Sequence, residues 1–136
     1  MNSNHDFAAL VARILLAILF ITSGFGKIEG FDGLTGYIAS KGMPVPALMA
    51  AGAIAVELGG GLLMLVGYRA RWAALAIFLF LIPTTLIFHN FWSVPADMAG
   101  NEQIAFLKNM SIMGGMLMVW AFGPGRLALG GETANA

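Results

Sequence analysis

The chain has 136 residues, of which 59% are apolar and 10% are charged, and its formal net charge is zero. This length allows one four-helix membrane domain and little outside it, and the scattered basic residues exclude the cationic surface that nucleic acid requires. The lack of cysteine excludes disulfides, cysteine-ligated iron–sulfur clusters and thiolate zinc sites, so a redox role would need a redox group borrowed from another molecule.

Four apolar stretches predict transmembrane helices, because each is close to the ~20 residues that cross a hydrocarbon core about 30 Å thick. They cover residues 7–26, 47–66, 72–91 and 104–122. We therefore predict an all-α membrane protein: a four-transmembrane-helix up-and-down bundle, with one domain over residues 1–130 and a disordered tail over 131–136. The first stretch lacks the basic leading region of a signal peptide, so we expect it to be retained as a helix.

On the first predicted helix, Arg13 and Lys27 share a face, because they lie four helical turns apart with Phe20 midway. Small residues flank this face. They are Ala9, Ala17 and Gly24. Small residues let neighbouring membrane helices approach closely, so we expect this face to pack against the rest of the bundle.

The connection after the first helix, residues 28–46, is too long for a simple turn. Three apolar residues in it recur at helical spacing: Phe31, Leu34 and Ile38. Asp32 can cap such a helix and Gly42 suits the position after its end, so we predict a short interfacial helix lying over the bundle as a lid. An irregular packed loop is the alternative. Pro46 then suits the first position of the second span.

The later spans each carry polar residues. On the second, Glu57 lies in a stripe of small residues and is expected to point inward, about 15 Å deep. On the third, Pro83 frees a backbone carbonyl and predicts a kink that opens the outer half of the bundle, with Thr84 and Thr85 able to bind the loosened carbonyls. On the fourth, Lys108 shares a face with small residues and is expected to face other helices.

An ionisable side chain in lipid is costly unless it finds a partner or water, so these residues predict the functional site. We expect Glu57 to meet Arg13 from one side and Lys108 from the other, with a neutral His89 nearby. The surplus positive charge would attract an anion or a carbonyl oxygen. Structural alternatives remain: a static Arg13–Glu57 pair, His89 bound to headgroups, Lys108 reaching the surface, and Asn109 joining helices.

The distribution of basic residues predicts the orientation of the bundle. One side carries Arg69, Arg71 and Arg126, and the opposite side carries Lys27 and Lys41. Because basic residues favour the cytoplasmic side, we predict that both termini are cytoplasmic. The nine methionines show no clustered metal-binding pattern and are interpreted as packing residues, so no metal site is predicted.

Five motifs give the chain a family resemblance. They are Arg13-Ile14-Leu15-Leu16, Gly24-Phe25-Gly26-Lys27, Glu57-Leu58-Gly59-Gly60-Gly61, Phe88-His89-Asn90-Phe91-Trp92 and Lys108-Asn109-Met110-Ser111-Ile112-Met113-Gly114-Gly115. In this order and spacing, over residues 10–130, the chain resembles the DoxX family of small bacterial membrane proteins, and within it an inner-membrane branch of candidate oxidoreductases. The resemblance implies a location in the bacterial inner membrane. It also implies a link to quinone-dependent oxidation, as in thiosulfate:quinone oxidoreductase and a terminal quinol oxidase, or to quinone and oxidative stress.

The residues allow a quinone to bind without a dedicated cofactor motif. One membrane-embedded histidine and no cysteine supply neither paired haem ligands nor a cluster, and no glycine-rich dinucleotide turn is present. The predicted substrate-binding residues are Arg13, Lys27, Glu57, His89, Lys108 and Asn109. We expect them to bind a quinone or a similar lipophilic molecule in the outer half of the bundle, with other redox subunits or further copies of the chain as partners in the bilayer. The alternative is a non-enzymatic carrier, scaffold or assembly factor whose charges are structural.

Overall fold

The computed structural model describes residues 2–130, and within that range it is helical apart from short turns, with no strand. Four helical segments in it are long and apolar enough to cross a membrane. They are Ser3–Glu29, Pro46–Val66, Ala70–Ser93 and Ala96–Phe122. The predicted all-α bundle with four spans is therefore confirmed. The tail predicted over 131–136 lies outside the described residues.

These spans and the connection between the first two are built from six α-helices. They are α1 (Ser3–Glu29), α2 (Phe31–Ser40), α3 (Pro46–Ile54), α4 (Gly60–Val66), α5 (Ala70–Phe88) and α6 (Ala96–Phe122). A π-helical turn, Ala55–Gly59, joins α3 to α4 without a break, so α3, the π turn and α4 form the second span. A 3₁₀ turn, Phe91–Ser93, follows α5.

The connection between the first two spans contains the predicted short helix, α2, rather than an irregular loop. The predicted cap was wrong: Gly30 is the N-cap, and Asp32 lies in the first turn, because the chain passes from α1 into α2 through this single glycine. Gly42 follows the end of α2 with φ +74°, and Pro46 opens α3, both as predicted. Ile38 is buried, so α2 packs its apolar side on the bundle.

The four spans pack in chain order. α1 packs against the second span, the second span against α5, and α5 against α6, whereas α1 and α6 make few contacts. The start of α1 and the segment after α6 meet, because the backbone N–H of Arg126 donates to Oδ1 of Asp6 at 3.0 Å. We call this the terminal end of the bundle and the opposite end, which α2 covers, the lid end.

Two glycines set how α1 and the second span face each other. A Cβ on Gly24 would lie 3.0 Å from Cβ of Leu58, and a Cβ on Gly61 would lie 3.0 Å from Cγ1 of Ile21. The two helices therefore touch backbone to side chain, as the sequence predicted for its small residues. The contacts also fix the register, with residue 24 level with residue 58 and residue 21 level with residue 61.

Helix α5 continues through Pro83 to its end at Phe88. The hydroxyl of Thr84 donates to the carbonyl of Phe80 at 2.8 Å, one residue beyond Leu79, whose carbonyl Pro83 leaves without its helical donor. The hydroxyl of Thr85 accepts a hydrogen bond from Nδ2 of Asn109 at 3.0 Å, which links α5 to α6. The predicted kink and the widening of the bundle stay predictions.

Candidate functional site

A cavity of about 510 Å³ lies in the lid-end half of the bundle, between α3 and α5 and beneath α2. Its size is within the usual range for small-molecule sites, and apolar side chains form most of its wall. Residues that matter for its chemistry are Lys27, Tyr37, Gly52, Pro83, Phe88 and His89. The cavity therefore offers an apolar slot with a few polar groups near one end of the membrane.

Lys27 supplies the first polar group of the cavity. It lies in the last turn of α1, where its Nζ donates to Oγ of Ser23 at 2.7 Å and lies 3.0 Å from Oε2 of Glu57. Glu57 is only 5% exposed, and Oε2 forms no hydrogen bond, so the attraction between the two side chains is Coulombic. The ammonium has three N–H donors, and an acceptor in the cavity can take one of them.

Glu57 lies at the centre of the π turn, Ala55–Gly59, within the second span. A π turn inserts a residue into an α-helix and rotates the side chains around it, and such turns are frequent at functional sites. Nothing in the local sequence predicted it, because the stretch reads as a regular apolar helix. The sequence did predict that Glu57 points inward, and its burial confirms this.

His89 supplies the second polar group. It caps α5, and its Nδ1 lies 2.8 Å from Oε2 of Glu102 on α6. A carboxylate on one ring nitrogen holds the imidazole in place and leaves Nε2 for a ligand. The sequence did not predict Glu102 as its partner. The eight residues of α6 that precede the predicted fourth span were placed in a loop, and Glu102 belongs to them.

Tyr37 of α2 is a cavity residue that the sequence did not single out. Its ring centroid lies 5.4 Å from that of Phe88, and its hydroxyl donates to the carbonyl of Phe88 at 3.3 Å. Burial raises the pKa of the Tyr37 hydroxyl above its ordinary value, and the negative charge of Glu102 raises that pKa further. One feature of the sequence could have indicated Tyr37 as a cavity residue. Tyr37 directly precedes the apolar Ile38 on a helix that was predicted to cover the bundle.

A second contact ties α2 to the end of α5. Nζ of Lys41 donates to Oδ1 of Asn90 at 3.4 Å and lies 5.7 Å from the centroid of the Tyr37 ring, within the range of a cation–π contact. Together with the tyrosine, this contact holds α2 over the lid end of the cavity. These contacts explain how α2 is kept over the bundle, where the sequence predicted it.

The predicted Arg13–Glu57 pair was wrong. Arg13 is 1% exposed, and its guanidinium donates to the carbonyls of Met64 at 2.9 Å, Leu65 at 3.2 Å and Leu127. The register explains this, since Arg13 is level with the end of α4 and Lys27 is level with the π turn. Helical side chains also tilt toward the N-terminus of their helix, which carries Arg13 away from Glu57 and Lys27 toward it.

The predicted inward orientation of Lys108 was also wrong. Lys108 is exposed on α6, and Asn109 beside it points the other way, to Thr85. Neither residue lines the cavity, because α5 lies between the cavity and α6. Of the predicted binding residues, the structure brings Lys27 and His89 to the cavity wall and Glu57 directly behind Lys27.

A second cavity of about 330 Å³ lies between α1 and α6 at the terminal end. Among the described residues, Arg13 is the only polar one in its wall, and the Nη atoms of that guanidinium already donate to backbone carbonyls. This cavity lacks the pair of ion-paired donors found at the lid end. We therefore take the larger cavity as the candidate site.

Comparisons with known proteins place the chain among small membrane proteins. Residues 8–90 match the model of the DoxX family. The chain is 38% identical to inner membrane protein YphA of Escherichia coli over 120 residues, 88% of this chain and 86% of that protein. It is 39% identical to inner membrane protein YqjF of E. coli over 129 residues, 95% and 94% of the two chains. A protein named "Putative oxidoreductase CatD", from Bacillus subtilis, is 28% identical over 107 residues, 79% of this chain and 75% of that one. No solved structure matches the chain.

Proposed function

This chain belongs to the DoxX family and is a multi-pass inner-membrane protein, and we propose that it binds a quinone or a related lipophilic aromatic molecule in the cavity beneath α2. One observation carries the proposal: the apolar cavity of about 510 Å³ has two donors in its wall, Lys27 and His89, each held by a carboxylate. Cavities that bind small molecules combine an apolar wall with a few oriented polar groups.

The chemistry of a quinone suits this arrangement. Its ring is flat and apolar, so Tyr37 and Phe88 can pack against it, and its two carbonyl oxygens accept hydrogen bonds. Lys27 would donate to one carbonyl through an N–H not used by Ser23. With Nδ1–H of His89 directed at Glu102, Nε2 would donate to the other carbonyl in the imidazolium form of the ring. A donor that is already held by Glu57 or Glu102 loses less side-chain entropy when the ligand binds.

The proposal extends to a role in quinone-linked redox chemistry or detoxification. This role is supported by the similarity to the protein named as an oxidoreductase. It is also supported by two titratable side chains in the cavity wall, Lys27 and His89. Electrons would come from another redox subunit, because the chain has no cysteine to hold a cluster. The residues of this chain would bind the ring, orient it and supply or take up protons at its carbonyl oxygens.

The proposed orientation puts the terminal end in the cytoplasm. The turn and the segment near this end carry Arg69, Arg71 and Arg126, whereas Lys27 and Lys41 lie at the lid end. Basic residues favour the cytoplasmic side, so the cavity would open in the outer leaflet of the inner membrane.

The test is the binding of decylubiquinone to purified protein in lipid nanodiscs. We expect Lys27→Met, made together with Glu57→Gln so that no carboxylate is left unpaired, to weaken binding roughly 10- to 150-fold, the worth of one charge-assisted hydrogen bond. Lys108→Met is the matched control, because it removes a membrane lysine outside the cavity. No binding by the unaltered protein, or equal binding by the Lys27 and Lys108 variants, would contradict the proposal.

A second candidate function, a scaffold or assembly factor, is supported by α6. Only 11% of the apolar part of this helix is buried, although it is one of the four spans. Lys108, Ser111 and Gly114 are all exposed on it. A lysine facing lipid is costly, and a partner helix with an acidic or polar group would relieve that cost.

A further inference from the structure

The cavity has an opening on its side, between α3 and α5. Gly52 of α3 and Pro83 of α5 both line the cavity and are both exposed. Gly52 has no side chain, and a Cβ built on it would meet no heavy atom within 4 Å. The wall is therefore open at Gly52.

The depth of this opening decides what it faces. Gly52 lies six residues, about 9 Å, below the start of α3, and Pro83 lies five residues, roughly 8 Å, below the end of α5. Both residues are inside segments that cross the membrane. The gap therefore opens into the hydrocarbon of the bilayer and not into water.

The lid end of the cavity is covered. Ile38 of α2 is 4% exposed, and Leu34 lines the cavity beside it. The Tyr37–Phe88 and Lys41–Asn90 contacts hold α2 to the end of α5. A molecule arriving from water would have to break these contacts, whereas a molecule arriving from lipid meets an open gap.

The charges of the cavity limit the ligand as well. Lys27 is paired with Glu57, and Nδ1 of His89 lies 2.8 Å from Oε2 of Glu102, so a carboxylate already stands beside each of these two groups. A negatively charged ligand would have to compete with these carboxylates, and the buried Glu57 would repel it. An uncharged molecule with hydrogen-bond acceptors avoids this cost and uses the remaining donors.

We propose that the ligand reaches the cavity sideways from the bilayer, through the gap between Gly52 and Pro83, and is an uncharged ring whose apolar tail stays in that gap. The proposal rests on the proposed function, because it concerns the same cavity. It deepens that function by naming the ligand class, a neutral membrane-dissolved amphiphile, and by making Gly52 the residue that controls access. A side chain at this position would stand in the gap without disturbing the fold.

The experiment measures how fast decylubiquinone binds, by stopped-flow quenching of tryptophan fluorescence in nanodiscs. Gly52→Leu is expected to slow association about tenfold, equal to about 1.4 kcal/mol in the barrier, and Gly52→Ala to slow it less. Gly114→Leu is the matched control. It fills an equally open, exposed glycine on α6, away from the cavity, and should leave the rate unchanged.

A second variant tests the lid end. Lys41→Cys with Asn90→Cys, joined by a short bismaleimide, ties α2 down through residues that do not line the cavity, and the chain has no other cysteine to react. Unchanged association in this clamped protein is expected. Sideways access is overturned if decylubiquinone no longer associates with the clamped protein, or if its association rate is unchanged in Gly52→Leu. Either result leaves the proposed binding site itself unaffected.

The outcomes separate the two proposals. If decylubiquinone does not bind the unaltered protein at all, the proposed function fails and this inference fails with it. If it binds and a ring carrying a sulfonate group binds equally well, the cavity accepts anions and the uncharged ligand class is wrong. Tail-less rings are expected to bind more weakly than decylubiquinone, because the gap then stays empty.

Discussion

Nζ of Lys27, in the last turn of α1, lies 3.0 Å from Oε2 of Glu57, a carboxylate that is 5% exposed inside the second span. This pair links the lid end of α1 to the π turn and holds one donor at the cavity wall. Its two members are not equivalent. The lysine side chain is 28% exposed and can reach the membrane surface, whereas the carboxylate cannot leave the bundle.

The first prediction follows from this difference. Lys27→Met should destabilise the fold more than Glu57→Gln, because Lys27→Met leaves a buried carboxylate unpaired. The expected loss of unfolding free energy lies toward the lower end of the ~3–5 kcal/mol that is typical of broken buried ion pairs. The double variant should recover most of that loss. Unfolding free energies from SDS titration in mixed micelles measure the coupling, and additive single effects would show that the pair is not coupled. In the same cycle, Arg13→Met and Glu57→Gln should be additive.

The second prediction concerns Arg13, which joins α1 to the end of α4 and to the last described segment of the chain. Arg13→Met should cost about 1–3 kcal/mol for each backbone carbonyl left without its donor, at Leu65 and Leu127, whereas the Met64 carbonyl keeps the backbone N–H of Gly67. Hydrogen exchange should rise around Leu127. Arg126→Met is the control, because Arg126 binds Asp6 through its backbone N–H, which the substitution keeps. Equal exchange in the two variants would show that Arg13 does not hold this segment.

The third prediction is a pH dependence at Tyr37. Its raised pKa means that the folded protein keeps this proton where the unfolded chain loses it, so stability should fall as pH rises above the ordinary tyrosine pKa of about 10. Ultraviolet titration in a Tyr68→Phe background isolates Tyr37. Glu102→Gln should lower the pKa of Tyr37 only in part, since burial is the larger cause. Asp97→Asn is the control, and a pKa unchanged by Glu102→Gln would refute the contribution of that charge.

The fourth prediction concerns Val45, which precedes α3 in the left-handed region with φ +45°. A β-branched residue there costs about 1–3 kcal/mol, and little packing is lost on its removal because the side chain is 60% exposed. Glycine also gives the unfolded chain more conformational entropy, which offsets part of the relieved strain. The net effect of Val45→Gly should be a stabilisation of about 1 kcal/mol. Val94→Gly, at φ −111°, should destabilise it instead. Thermal unfolding of the two variants compares them, and a fall in stability for Val45→Gly would show that the conformation is not strained.

The fifth prediction tests the exposed face of α6. In membranes, Ser111→Cys should cross-link to a neighbouring protein, whereas Leu15→Cys, on the outer face of α1, should not. The only cysteine in each variant is the introduced one. Cross-linked species are detected by mass on gels and identified by peptide sequencing. If both cysteines react equally with a thiol label and neither forms a cross-link, this result would argue against a partner on α6. The support for the scaffold function would then be removed.

The sequence by itself determined the fold, since the length of an apolar stretch and the hydrogen-bonding needs of its backbone are local properties. The same is true of α2 and its end at Gly42, because positive φ is a property of one residue and its neighbours. The inward position of Glu57 also followed from its helical face. Identifying Lys27, Glu57 and His89 as candidates required only that charge is costly in lipid.

Only the tertiary structure decided which of these residues meet. Helical periodicity gives the face of a side chain, but it does not give the level at which two neighbouring helices lie or which helix stands beside which. The Gly24–Leu58 contact sets that level, and it brings Lys27 rather than Arg13 to Glu57. The position of α6 behind α5 turns Lys108 outward. The cavity itself exists only where four separate segments, α1, α2, the second span and α5, leave space between them, which no single stretch of sequence encodes.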